Sequence, residues 1–72
     1  MTEEKFLLSV GKRIREKRKE KKLSQDKLAA LCNVEKANLS RIESGKTNAT
    51  VLTLRKISNV LFGKFHEMFL DQ

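Results

Sequence analysis

The stretch that decides the fold reads Gln25-Asp26-Lys27-Leu28-Ala29-Ala30-Leu31-Cys32-Asn33-Val34-Glu35-Lys36-Ala37-Asn38-Leu39-Ser40-Arg41-Ile42-Glu43. In its first half, Leu31 and Cys32 lie three and four residues after Leu28, which is the spacing of one helix face. Asn tolerates a positive φ better than most residues, so Asn33 suits a tight turn. We therefore expect a short helix over 25–31 that ends in a turn at Asn33.

A second short helix is expected after that turn, over 35–43, with Leu39 and Ile42 pointing inward. Two helices that cross steeply need a small residue at the crossing, and Ala29 lies in the middle of the first one. The alternative is an ordinary αα-hairpin in a protein-binding module. Because a hairpin does not require the turn, the small residue and the apolar positions together, we favour a helix–turn–helix with its core at 25–43.

A long amphipathic helix is predicted before this core. Phe6, Val10 and Ile14 recur at four-residue spacing, so a helix over 4–21 is expected. Ser24 follows as a good N-cap for the next helix.

The chain after the core also reads as helical. Gly45 suits a left-handed helix end, Thr50 is a good cap, and a fourth helix is expected over 51–61. Its inner stripe consists of Val51, Leu54, Ile57 and Leu61. Residues 64–70 predict a short fifth helix or helical turn. No alternating strand pattern or hairpin turn appears, so the predicted fold is an all-α, compact five-helix bundle forming one domain over 1–72.

Composition restricts the function. One Cys and one His in 72 residues cannot form an intramolecular disulfide or a Cys/His zinc site, and no pattern of a catalytic nucleophile surrounds them. We therefore predict no enzyme activity, no metal and no cofactor. The longest apolar run is only five residues, 28–32, and the chain begins with acidic residues, so no signal peptide or membrane span is expected and a cytoplasmic location fits.

The net charge of +7 indicates a polyanionic partner. It is uneven: residues 1–22 carry nine basic and four acidic side chains, which leaves +5, and residues 23–49 and 50–72 carry +1 each. Individual lysines of the first helix are expected mainly to keep it soluble, whereas the block as a whole favours phosphate.

Residues 10–69 resemble the DNA-binding domain of phage Cro and lambda-type repressors and their bacterial relatives. The resemblance rests on four blocks: Val10-Gly11-Lys12-Arg13-Ile14-Arg15-Glu16-Lys17-Arg18, Leu23-Ser24-Gln25-Asp26-Lys27-Leu28-Ala29, Leu39-Ser40-Arg41-Ile42-Glu43-Ser44-Gly45-Lys46 and Thr53-Leu54-Arg55-Lys56-Ile57. It implies five helices, the third of which lies in the major groove of double-stranded DNA, and usually a two-fold dimer on a palindromic operator.

The resemblance also implies which residues read bases. Lys36, Ala37 and Arg41 match base-reading positions of the family, and a helical wheel places them opposite the inner face of the third helix. Arg41 suits guanine O6 and N7, Lys36 suits the same edge, and Ala37 suits a thymine methyl. Ser40 shares this face, and Asn38 lies on its flank.

Two further sets of positions follow from the resemblance. Phosphate contacts are expected from the start of the second helix and from the segment after the third, namely Ser24, Gln25, Ser44, Lys46 and Asn48. Arg18 and Glu43 match a partly buried ion pair that joins the first helix to the end of the third. Glu35 departs from the family, which prefers Ser or Thr at that cap.

Several apolar residues exceed what a small bundle needs inside. We expect Phe6, Phe65 and Phe69 to fill the core between the first and last helices. Leu52, Val60 and Phe62 are expected to form an exposed patch, and such patches usually mark a partner surface. We predict a homodimer through the fourth and fifth helices. Cys32 is expected to be a small buried hydrophobe.

Three functions remain in competition at the level of sequence. The favoured one is a sequence-specific transcriptional regulator, since the short chain resembles controller proteins of restriction–modification systems, small phage repressors and some antitoxins. The alternative is an antitoxin-type module that acts mainly by binding a partner protein through the apolar patch. A basic amphipathic helix on a membrane surface ranks last, because the core needs its apolar stripe.

Overall fold

The computed structural model describes residues 2–69, which form four α-helices and one short 3-10 helix. The elements are α1 (Glu3–Glu20), α2 (Gln25–Cys32), α3 (Lys36–Glu43), α4 (Val51–Leu61) and a 3-10 helix (Phe65–Phe69). The described residues contain no strand, which agrees with the all-α prediction. None of these helices is both long and apolar enough to cross a membrane.

The predicted count of five helices is wrong, because only four of the elements are α-helices. The last element is a 3-10 helix of five residues, a tighter form that is typical of short segments. Leu70, at the end of the predicted fifth helix, lies outside the described residues.

The helices begin and end close to the predicted positions because their capping residues act locally. The Ser24 hydroxyl accepts a hydrogen bond from the Lys27 N–H at 3.0 Å, and Thr50 accepts one from the Thr53 N–H at 3.1 Å. Asn33 has φ 56° and ψ 48°, the left-handed conformation expected of the turn. The third helix starts one residue later than predicted, since Glu35 is its cap and makes no capping bond with its side chain.

One hydrophobic cluster lies between the helices. Its fully enclosed members are Val10, Ile14, Leu28, Ala29, Cys32, Leu39, Ile42, Ile57, Leu61 and Met68. α1 contributes Val10 and Ile14, α2 and α3 contribute the apolar residues of the predicted helix–turn–helix, and α4 closes the other side. This shared core fixes α2 and α3 relative to each other.

Four predicted core residues are exposed instead: Leu31, Val51, Phe6 and Phe65. Side chains on a helix tilt toward its N-terminus, so Val51, the first residue of α4, extends past the end of the helix into solvent. Leu31 lies beside the face of α2 that its neighbours cover. Phe6 stacks on Phe69 with ring centroids 6.0 Å apart, so both it and Phe65, which meets Phe69 edge-on at 5.2 Å, are covered on one side only.

α1 packs closely against the end of α3 at Gly11, a residue without a side chain. A Cβ added at Gly11 would lie 2.6 Å from the carbonyl oxygen of Glu43, closer than real Cβ contacts allow. At the same end of α3, Gly45 has φ 71° and lies against the backbone of Leu8. The C-terminal end of α3 is therefore held tightly against α1, and this contact positions the outer face of α3.

Candidate nucleic-acid interface

The turn between α2 and α3 has the geometry that a helix–turn–helix requires. The Asn33 N–H donates to the Ala30 carbonyl at 3.2 Å, and the Val34 N–H donates to the Ala29 carbonyl at 3.0 Å. Ala29 is buried where α2 meets its neighbours. Because Leu28, Ala29 and Cys32 of α2 face the core together with two residues of α3, the remaining face of α3 is turned outward.

The outer face of α3 carries the predicted base-reading residues. Lys36, Ala37 and Arg41 are exposed, and Asn38 and Ser40 are half-buried on its flanks. No hydrogen bond or ion pair joins Arg41 to another side chain within residues 2–69. The guanidinium of Arg41 is therefore a set of five donors directed to solvent.

Lys36 differs from Arg41 because it has an acidic partner. Its Nζ lies 3.4 Å from Oδ1 of Asp26, the second residue of α2. The pair bridges the two helices of the helix–turn–helix at its surface. Sequence reasoning missed it, since ten residues and a turn separate the two side chains and no helical spacing connects them.

Arg18 and Glu43 lie together, in the arrangement that the resemblance implies. Arg18 Nε donates to Glu43 Oε2 at 2.8 Å and Nη2 donates to Oε1 at 3.1 Å, a two-pronged contact. Arg18 Nη1 also donates to the Leu23 carbonyl at 2.8 Å, just after the end of α1. Their side chains are only 10% and 2% exposed, so the pair is nearly cut off from water.

Gln25 is a third member of this network, which the sequence did not predict. Its Nε2 donates to Glu43 Oε1 at 3.1 Å, so the first residue of α2 is joined to the last residue of α3. Gln25 is half-buried, and its expected phosphate contact stays a prediction. The network of Arg18, Glu43 and Gln25 therefore connects all three helices behind the outer face of α3.

The other predicted phosphate contacts lie on exposed segments at the two ends of the motif. Ser24 precedes α2, and its hydroxyl accepts the capping bond. Ser44 follows α3, and its hydroxyl donates to the Ser40 carbonyl at 2.9 Å. Lys46 and Asn48 are exposed in the loop before α4. Each segment leaves polar groups facing solvent beside the outer face of α3.

The predicted apolar patch is smaller than the sequence suggests. Leu52 is 61% exposed, as expected, but Val60 and Phe62 are half-buried and pack against the core. The Arg13 guanidinium lies over the Phe62 ring, 5.6 Å from its centroid, and covers part of it. Val51, which is 73% exposed, adjoins Leu52 and was predicted to be inside. The most exposed large apolar side chains, Val51 and Leu52, therefore lie at the start of α4.

Cys32 is buried, as predicted. Burial raises the pKa of its thiol, and the positive charge of Lys56 opposes the rise in pKa only in part. The thiolate, which is the reactive form, is therefore scarce, and Cys32 serves as part of the core.

Comparisons with known proteins by family, sequence and structure agree with one another. Residues 14–67 match the family described as Helix-turn-helix. Control protein C.MunI from Mycoplasma sp is 39% identical over 62 residues, which cover 85% of this chain and 84% of that protein. The crystal structure of the restriction-modification controller protein C.AhdI from Aeromonas hydrophila superposes with a TM-score of 0.84 at 32% identity, covering 88% of this chain and 96% of that one.

Proposed function

The chain belongs to the helix-turn-helix family of DNA-binding transcription regulators, and we propose that it binds a palindromic operator in double-stranded DNA as a homodimer. The family is regulatory rather than enzymatic. The similarity to two controller proteins over most of the chain supports a regulator of the controller type. The proposal adds the form of the operator, the number of subunits and the residues that contact DNA.

The observation that carries the proposal is the outer face of α3. An α-helix with its side chains is about 10–12 Å in diameter, and the major groove of B-DNA is about 12 Å wide, so the groove admits α3. Lys36, Ala37 and Arg41 project from this face, and Arg41 has no partner within the described residues to compete with a base. The network behind the face holds the helix at one angle.

Each residue of this face has a chemical role in base reading. The Arg41 guanidinium matches the O6 and N7 acceptors of guanine, and the Lys36 ammonium donates to the same edge. The Ala37 methyl fits against the methyl of thymine. Asn38 and Ser40, which are half-buried, reach a flanking base or phosphate.

Phosphate contacts would hold α3 in register without reading sequence. The N-terminus of α2, with Ser24 and Gln25, presents free N–H groups to one stretch of backbone. Ser44, Lys46 and Asn48 serve the other stretch, after the end of α3. The +5 charge of residues 1–22 attracts DNA at long range.

A dimer is supported by the apolar surface at the start of α4. Val51 and Leu52 are large side chains left in solvent, and burying them against a second copy is favourable. Val60 and Phe62 would contribute through their exposed parts. One short reading helix gives modest affinity, so two half-sites in one operator supply the rest.

Selection from random duplexes tests the operator. We expect a palindrome whose half-sites lie about 10 base pairs apart, centre to centre. Equal binding to scrambled duplexes contradicts sequence reading and favours the antitoxin-type alternative, in which a partner protein covers Val51 and Leu52.

Light scattering without DNA tests the dimer separately. At tens of micromolar protein we expect twice the 8.3 kDa chain mass. The monomer mass under these conditions contradicts the dimer and leaves the DNA contacts to the selection experiment.

A further inference from the structure

Asp26 is an acidic side chain that pairs with a lysine on the surface that would meet DNA phosphates. Asp26 is the second residue of α2, and its side chain is 74% exposed. Its Oδ1 and Oδ2 lie 3.4 Å and 3.5 Å from Nζ of Lys36, the first residue of α3. Lys36 is itself 57% exposed. A carboxylate at this place repels the phosphates of DNA unless a positive charge balances it. The pairing of Asp26 with Lys36 therefore affects DNA binding.

We propose that Asp26 determines specificity by withholding the Lys36 ammonium from phosphates and leaving it available to a base. The inference rests on the proposed function and deepens it. Asp26 contacts no base itself; it acts through Lys36 and is a positioning residue.

DNA can engage Lys36 in two ways, through a phosphate or through a base edge. A phosphate is an anion, so at an ammonium that keeps Asp26 it meets the repulsion of the carboxylate. If the ammonium instead leaves Asp26 for the phosphate, the bare carboxylate faces the negative backbone. That exchange gains one attraction and creates one repulsion, so it yields little on DNA of any sequence.

A guanine edge presents a different case. The Lys36 ammonium has three N–H donors, so it can donate to O6 or N7 while it keeps a contact with Asp26. No exchange is needed and the carboxylate stays neutralised. The Asp26–Lys36 pair therefore favours contact with a matched base over contact with the phosphates, which are the same in every sequence.

The decisive variant is Asp26→Asn, measured on a random duplex and on the selected operator. Freed from the carboxylate, Lys36 takes up a phosphate on any sequence. One additional phosphate contact steepens the salt slope by about 0.9 and raises affinity for the random duplex up to about tenfold near 0.1 M salt. We expect a smaller gain on the operator, so the ratio of specific to random affinity falls.

Glu16→Gln is the matched control. It removes the same unit of negative charge from another exposed pair, in which Lys12 Nζ lies 4.0 Å from Glu16 Oε1 on α1, outside the helix–turn–helix. We expect it to raise affinity for both duplexes by a similar small factor and to leave their ratio unchanged.

The double variant Asp26→Asn with Lys36→Gln tests whether the freed Lys36 ammonium causes the gain in affinity for the random duplex. If the released lysine causes the gain, this variant loses the tighter random binding and the steeper salt slope. If the gain persists without Lys36, simple loss of repulsion explains it and the inference is overturned. Asp26 and Lys36 are both exposed, so we expect their variants to fold. Thermal melting checks that each variant does.

Two failures remain distinguishable. If the wild-type chain selects no sequence, the proposed function fails, and the inference fails with it. If the wild type selects an operator but Asp26→Asn behaves like Glu16→Gln, only the inference is overturned.

Discussion

Two ion pairs join α3 to a neighbouring helix, one to α1 and one to α2, and they differ in burial and in geometry. Arg18 and Glu43 are nearly enclosed and make two short hydrogen bonds, with a third donor from Gln25. Lys36 and Asp26 are mostly exposed, and their charged atoms approach only to 3.4 Å.

The difference in burial gives the two pairs different roles. The enclosed pair holds its helices in place, whereas the exposed pair can exchange its partner. A buried pair whose partner is removed leaves a charge without water, so the enclosed pair fixes the angle between α1 and α3. An exposed pair contributes little to stability and can be replaced by another anion or acceptor. The inner pair therefore sets where the reading face lies, and the outer pair lies where DNA would compete for it.

The largest expected effect comes from breaking the inner pair. Glu43→Leu leaves the Arg18 guanidinium enclosed without its carboxylate, and we expect it to lower the free energy of unfolding by about 3–5 kcal/mol in urea denaturation. That loss is a large part of the stability of a small domain, so the variant can fail to fold.

The double variant Arg18→Met with Glu43→Leu serves as its control. It removes both charges, so we expect it to be more stable than Glu43→Leu alone. A double variant that loses the sum of both single losses would show that the stranded charge is not the cause.

The next effect concerns the approach of α1 to the end of α3 that carries Glu43. Gly11→Ala places a methyl 2.6 Å from the Glu43 carbonyl oxygen, and a backbone atom cannot rotate away. We expect a loss of about 3 kcal/mol in the free energy of unfolding, although alanine favours helix by about 1 kcal/mol over glycine.

Lys12→Ala, one position later and exposed, is the control and should leave stability nearly unchanged. Equal melting temperatures for the two variants would mean that α1 and α3 do not need this close approach.

Caps and turns could be predicted from the sequence, whereas the two ion pairs could not be predicted from residue spacing. Caps and turns depend on a few neighbouring residues, so Ser24, Asn33, Gly45 and Thr50 could be assigned in advance. The pairing of Arg18 with Glu43 was implied by a resemblance, because 25 residues of chain separate them and spacing alone does not connect them.

Exposure was harder to predict than helix position. Helical spacing gives the face on which Val51 and Leu31 lie, but the neighbours that cover that face are set by the packing of other helices. α4 begins at Val51, so no preceding turn of the helix covers the side chain. The link from Gln25 to Glu43 and the pair of Lys36 with Asp26 depend in the same way on how α2 and α3 cross.

Removing Arg41, a donor on the outer face of α3, should alter base reading. We expect Arg41→Ala to cost about 2 kcal/mol in DNA binding and to relax preference at one base position, because a bidentate contact to guanine is lost. Lys46→Ala should instead weaken all sequences alike and reduce the salt slope by about 1. Competition binding against single-base operator variants separates the two, and identical profiles would contradict these assignments.

The smallest effect is expected when the outer pair is broken in the absence of DNA. Asp26→Asn and Lys36→Gln should each change the free energy of unfolding by less than about 1 kcal/mol, since exposed pairs are screened by water and salt. A double-mutant cycle in urea gives the coupling between the two side chains, which we expect to lie near 0.5 kcal/mol and to fall further in high salt. The same cycle on Arg18 and Glu43 should give a coupling several times larger that salt barely changes, because that pair is enclosed. Equal couplings for the two pairs would remove the distinction between a pair that fixes helix angle and one that DNA can displace.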